Sequence, residues 1–237
     1  MGSCLASLGY LLGVKEKRER EGKGVRLFSS GFVLLVLGWL KHRVTRYNGG
    51  VGVVLVVPVS LSFVSRFPAV GFSGSRSLPS QSAIALRSVA ALVSPSAVVS
   101  VGCARGADSL ARSLFPHAHV FSVASGRWGS GRGAFARRSV ACVSSVAPAG
   151  LWCFFPAGPC PAGLLPSPSS SRCFCGLGSG SWASAAFALG SGLAVLCFLP
   201  PGVPCPVGWG FTSLGGGWWV SRPSSSSPAP PSQSSLF

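Results

Sequence analysis

The chain has 237 residues, 48% of them apolar and 10% charged, enough to bury a sizeable core in one domain with flanks. Lys and Arg number 20 against four acids, a formal net charge of +16, and those acids are Glu16, Glu19, Glu21 and Asp108. With a single carboxylate after residue 21, paired-carboxylate hydrolysis, two-metal catalysis and carboxylate-rich calcium sites are implausible.

Residues 1–65 read as a basic and apolar extension. The charge run KEKREREGKGVR precedes LFSSGFVLLVLGWL, and the basic cluster KHRVTR separates that from GGVGVVLVVPVSLSFV. Both apolar runs are shorter than the roughly 20 residues a spanning helix requires. The segment is therefore expected to be poorly ordered, or membrane-associated through residues 27–64 as a hairpin with KHRVTR at the cytoplasmic side. Every lysine lies at or before Lys41, and every later cation is arginine. That switch suits the middle of the chain to anionic ligands, because the guanidinium fork pairs bidentately with phosphate.

From residue 66 to 201 the pattern alternates strand, turn and helix. AVGFSGS (69–75) reads as a strand, followed by a helix over 81–93 with Leu86, Val89 and Val93 at helical spacing. AVVSVG (97–102) is the second strand, and a helix starts near Ala107. HVFSVAS (119–125) is the third strand. The longest helical candidate covers 131–147, with Phe135, Cys142, Val143 and Val146 on one face and Arg137 on the other. LWCFFPAG (151–158) is a fourth strand, a Pro/Ser loop covers 159–172, a helix covers 181–190, and LAVLCFLP (193–200) closes as the fifth strand. Continuous apolar strands separated by helices indicate a sheet buried on both faces. The expected fold class is thus α/β, a Rossmann-like three-layer domain with a five-stranded, mainly parallel sheet. Residues 202–237 read as a Gly/Pro/Ser-rich, low-complexity tail with loosely docked tryptophans.

Ligands of such sheets sit beyond the carboxyl ends of the strands, at a switch in strand order. Three small-residue turns fall there: Gly74-Ser75-Arg76, Gly102-Cys-Ala-Arg105-Gly106-Ala107-Asp108, and Gly176-Leu-Gly178-Ser179-Gly180-Ser181 directly before a helix. Glycine lets backbone N–H groups approach an anion, and a helix N-terminus adds about half a positive charge. The serine hydroxyls and Arg76 and Arg105 add donors and charge. Asp108 has two readings: a hydrogen-bond acceptor for a ribose hydroxyl or base edge, or a first-turn helix residue ion-paired with Arg105 or Arg112.

The series VGFSGSRS, VVSVGCARGADSLAR, GRGAFARRSVACV and GSGSWASAAFALG resembles the SLOG superfamily, which includes the DNA-processing protein A recombination mediators and the lysine decarboxylase-like phosphoribohydrolases. The similarity spans about residues 69–200, and GCARGAD is its most specific part. It implies a nucleotide or nucleotide derivative over the strand ends, beside Gly74, Ser75, Arg76, Gly102 and Arg105 to Asp108. It also implies a phosphate held by Gly178, Gly180 and Ser181, and a helix bearing Arg132, Arg137 and Arg138 near the ligand. The phosphoribohydrolases carry a glutamate three residues after their Gly-Thr, and this chain has Ser184 there. A serine cannot serve as that acid or base near neutral pH, so binding without hydrolysis is expected and no catalytic residue is assigned. The alternative partner is single-stranded DNA, favoured by the ten arginines of residues 66–201. Homo-oligomers are common in the superfamily.

Nine cysteines form no regular framework and read as reduced thiols of a cytoplasmic protein. Cys160, Cys173 and Cys175 lack a C-x-x-C pair and are weak metal ligands. No cofactor or metal is expected. His117 and His119 read as turn residues, and Trp128 either stacks on a base or covers a helix edge.

Overall fold

The computed structural model describes residues 42–45, 55–146 and 149–222. β1 (His42–Thr45) and β2 (Leu55–Pro58) pair as an antiparallel ribbon. A 3-10 helix over Val59–Arg66 follows, and its Leu61 and Val64 are fully buried. These two residues precede the expected boundary at residue 66 yet pack into the core of the domain. Of the segment 27–64 read as a membrane hairpin, residues 27–41 and 46–54 lie outside the described residues. No helix among the described residues is long and apolar enough to cross a membrane.

The domain is α/β, as expected. β3 (Ala69–Gly74), α1 (Ser80–Ala90), β4 (Val98–Gly102), α2 (Ala107–Leu114), β5 (His119–Phe121), α3 (Arg132–Ser144), β6 (Leu151–Phe155), the short α4 (Ser170–Cys173), α5 (Gly180–Gly190) and β7 (Ala194–Phe198) follow in chain order. β8 (Thr212–Gly215) and β9 (Trp218–Ser221) complete the sheet. Its strand order is β5-β4-β3-β6-β7-β9-β8. The first five strands are parallel, and β9 and β8 are antiparallel additions. The order reverses between β3 and β6, because β3 is followed outward by β4 and β5 whereas β6 and β7 extend the other way. Two diverging loops leave a crevice at such a point.

Side-chain alternation divides the core by face. In β6, Leu151, Cys153 and Phe155 enter one cluster with Leu86, Val89 and Ala111 of α1 and α2. Trp152 and Phe154 enter the other, with Cys142, Val143, Trp182 and Ala185 of α3 and α5. Leu196 and Cys197 of β7 divide the same way. Period-two alternation in strands that are apolar throughout is the requirement for helices on both faces.

The sheet has seven strands rather than five. The two additional ones come from residues 212–221, within the segment read as a low-complexity tail. Gly215, Gly216 and Gly217 all take positive φ and turn the chain into a hairpin. Trp218 and Val220 then point into one core face, and β9 covers what would be the open edge of β7. Trp209 and Trp218 are buried rather than loosely docked. A glycine-rich hairpin resembles low complexity in composition, but its apolar residues have a sheet edge to cover. Residues 223–237 lie outside the described part.

Candidate functional site

The crevice between β3 and β6 opens into a cavity of about 800 Å³ bounded by the turn after β3, α2, α3 and the loop leading into α5. Two turns are locked together at its base. Ser75 N–H donates to Phe155 O at 2.9 Å and Ala107 N–H donates to Ser75 O at 3.0 Å. Gly106, at φ 75°, permits this approach, since a Cβ there would overlap Ser75 O and the Arg76 backbone. The GCARGAD turn is therefore held against the turn after β3, and α2 begins at their junction.

Of the residues expected at the site, Gly74, Ser75, Arg76 and Asp108 line the cavity, as do Arg138, Gly178, Ser179, Gly180 and Ser181. The Ser75 hydroxyl is spent on its own turn, donating to Ser77 O at 2.9 Å and accepting from Ser77 N–H at 3.0 Å. Gly102, Gly106 and Ala107 build the turn beneath the cavity without lining it, and Arg105 is exposed and does not line it either. Arg132 opens α3, and its side chain lies outside what the structure describes. Arg137 is exposed, and its Nε donates to Trp128 O at 2.6 Å. Trp128 packs beside Phe121 and donates from Nε1 to Ser122 O at 3.0 Å, which makes it a cover for the end of β5.

Asp108 sits at the floor, buried, and pairs with neither Arg105 nor Arg112. Its Oδ2 accepts from Ala104 N–H at 3.1 Å and lies 3.5 Å from Arg138 Nη1. Arg112 instead anchors the turn, its Nη1 donating to Gly102 O at 2.6 Å and Ala104 O at 3.1 Å. Burial raises the Asp108 carboxyl above its ordinary value of 3.8, against the pull of Arg138, the Ala104 amide and Arg112. The pair is pressed against the end of β4, where a Cβ on Gly102 would overlap both Arg138 Nη1 and Asp108 Oδ2.

The opposite wall is the loop 176–181. Gly176 and Gly178 take φ of 90° and 100°, and neither they nor Gly180 has any atom that an added Cβ would meet. The side-chain positions of these glycines therefore open onto free space rather than packed protein. Ser179 caps α5 by accepting from Trp182 N–H at 3.5 Å, and its hydroxyl lies 3.2 Å from that of Ser181. The Gly180 and Ser181 amides precede the first intrahelical bond of an 11-residue helix and carry its positive end. Ser184, in the place of the glutamate, donates to Gly180 O at 2.8 Å and so is engaged within its own helix.

Sequence reading missed the apolar wall. Phe135, expected on the core face of its helix, is 45% exposed and lines the cavity, with the Arg76 guanidinium 5.6 Å from its ring centroid. Cys142, Val143 and Val146 are buried as expected, while in the first half of α3 Ala134 and Arg138 are buried and Phe135 is not. Phe174, between the Pro/Ser loop and the glycine turn, and Leu177, within that turn, join this wall, and no periodicity marks them. Among the described residues no cluster of three His, Cys, Asp or Glu side chains is placed to share a metal ion. No protein-family model, curated protein or solved structure matches the chain.

Proposed function

We propose that the protein binds a nucleotide or nucleotide derivative in the cavity over the β3/β6 switch point. The observation that carries this reading is the loop 176–181, a glycine-rich turn whose glycine side-chain positions open onto free space at the N-terminus of α5. Such a terminus is suited to a phosphate. Arg76 and Arg138 add two cations against the single anion Asp108, leaving the wall electropositive. The half-exposed Phe135 ring offers a planar apolar surface for a base. Hydrolysis is not part of the proposal, since the one carboxylate at the site is held by Arg138 and Ala104.

Thermal-shift measurements on the full chain test this reading, using AMP, ADP, ADP-ribose and a short single-stranded oligonucleotide at low and high salt. A nucleotide shift that survives high salt is expected. Stabilisation by the oligonucleotide alone, lost as salt rises, would replace the pocket with a nucleic-acid interface, because multiple phosphate contacts give a steep salt dependence.

A further inference from the structure

We infer that Asp108 and the anionic group of a bound ligand compete for the guanidinium of Arg138, so that anion binding in the cavity releases Asp108 from its ion pair and is coupled to uptake of a proton. This rests on the reading of the cavity as an anion-bearing ligand's site and names how that site is regulated. Both side chains line the same cavity and are nine-tenths buried, with relative exposures of 10% for Arg138 and 6% for Asp108. Arg138 is under-satisfied where it stands. Its Nε is buried with no hydrogen-bond partner among the described residues. Its contact to Asp108, at 3.5 Å, is longer than the roughly 2.7–2.9 Å of a charge-assisted hydrogen bond. An anion entering the cavity therefore meets a guanidinium that is loosely paired with its carboxylate.

Among the described residues Arg138 is the cation paired with Asp108, and Arg112 acts on it more weakly. From α3 it faces Arg138 and the Cys142 thiol. From its own helix it faces Arg112, whose Nη1 is committed to the Gly102 and Ala104 carbonyls. From the turn after β4 it receives the Ala104 amide alone. When a ligand anion draws the guanidinium away, the carboxylate keeps its burial and loses its main counter-charge. Protonation from solvent is then the favoured outcome, because burial penalises the charged form. The protonated Asp108 leaves the full charge of Arg138 to the ligand.

The test is calorimetric titration of the full chain with sulfate, which remains a dianion across the range used. It is run from about pH 5 to about pH 7.5, above the ordinary carboxyl range, in two buffers of different ionisation heat. Proton uptake on binding and tighter binding at the lower pH are expected. Asp108→Asn should bind at least about tenfold more tightly than wild type at the higher pH and lose the pH dependence, since it removes a unit charge beside the anion site. Arg138→Gln should lose the binding. Zero proton uptake, an unchanged affinity in Asp108→Asn, sulfate binding retained by Arg138→Gln, or no sulfate binding at all would each overturn the proposal. If Asp108→Asn fails to fold, proton uptake by the wild type decides alone. AMP titrations run alongside separate the two readings: AMP binding equally to wild type and Arg138→Gln keeps the nucleotide site and removes the coupling.

Discussion

Trp209 lies in the segment whose composition suggests a dispensable tail, and truncating it measures how far that segment belongs to the core. The side chain is 2% exposed, its Nε1 donates to Leu164 O at 3.1 Å, and its ring meets Trp182 edge-on at 5.5 Å and stacks on Phe211 at 6.0 Å. Truncation of a buried Trp costs about 3–5 kcal/mol, most of it transfer and cavity energy. The lost hydrogen bond to Leu164 adds about 1 kcal/mol. Against a total stability of about 5–15 kcal/mol for a domain, Trp209→Ala should remove about a quarter or more. Urea denaturation of the full chain reads this directly: at about 3 kcal/mol per molar, the midpoint should fall by more than about 1 M. Val207→Ala, at a residue 93% exposed in the same segment, serves as control and should leave the midpoint unchanged. A loss below about 0.5 kcal/mol for Trp209→Ala, within the ordinary range of a surface change, would refute the packing of residues 202–222 against α5.

Three further outcomes are expected. Gly102→Ala should cost about 1–3 kcal/mol by overpacking and displace the Asp108–Arg138 pair, so thermal melting and sulfate titration should both change; a variant with wild-type melting and binding would contradict the close approach at the end of β4. Asp108, raised above 3.8, takes up a proton on folding between its unfolded and folded values, so its contribution to stability grows as pH falls through the folded value and levels below 3.8. Denaturation of wild type and Asp108→Asn from about pH 7 to about pH 3 should show wild type gaining relative to the variant, and a relative loss on acidification would contradict the sign. Among the described cysteines, exposed Cys175 should react first with a thiol reagent, while Cys142, whose thiol burial pushes up to about 12, and the fully buried Cys153 and Cys197 should react only on unfolding.

The parallel half of the fold was legible because each of its strands lies in an apolar run, β3 and β4 ending in glycine, and each connection but one carries a helical period. What escaped was of two kinds. β8 and β9 are joined by three consecutive glycines and flanked by prolines, so their composition signals disorder while Trp209, Trp218 and Val220 supply the burial that orders them. At the site, the backbone-built parts were visible, since glycine and serine before a helix mark them. The side-chain partnerships were not: Asp108 is 30 residues from Arg138, and its nearer neighbours Arg105 and Arg112 are turned outward and spent on carbonyls respectively. Phe135 shows the limit of helical spacing, because Cys142, Val143 and Val146 are buried as their spacing indicates, whereas nearer the start of α3 Arg138 is buried and Phe135 lines the cavity.

If the glycine-rich turn at residues 176–181 receives the phosphate of a nucleotide, as proposed, titration of wild type and Gly180→Asp with AMP, ADP and ADP-ribose at high salt will separate the two proteins. Gly180 has open space around it, so the aspartate is accommodated and brings a negative charge to the N-terminus of α5. A nucleotide at about 100 times its dissociation constant stabilises the wild type by roughly 2.7 kcal/mol. At about 2–4 °C per kcal/mol for a chain of this size, the melting temperature should rise by about 5–10 °C, and Gly180→Asp should abolish the rise while melting at the wild-type temperature without ligand. Equal binding by the two proteins, or no binding by either, would contradict the proposal.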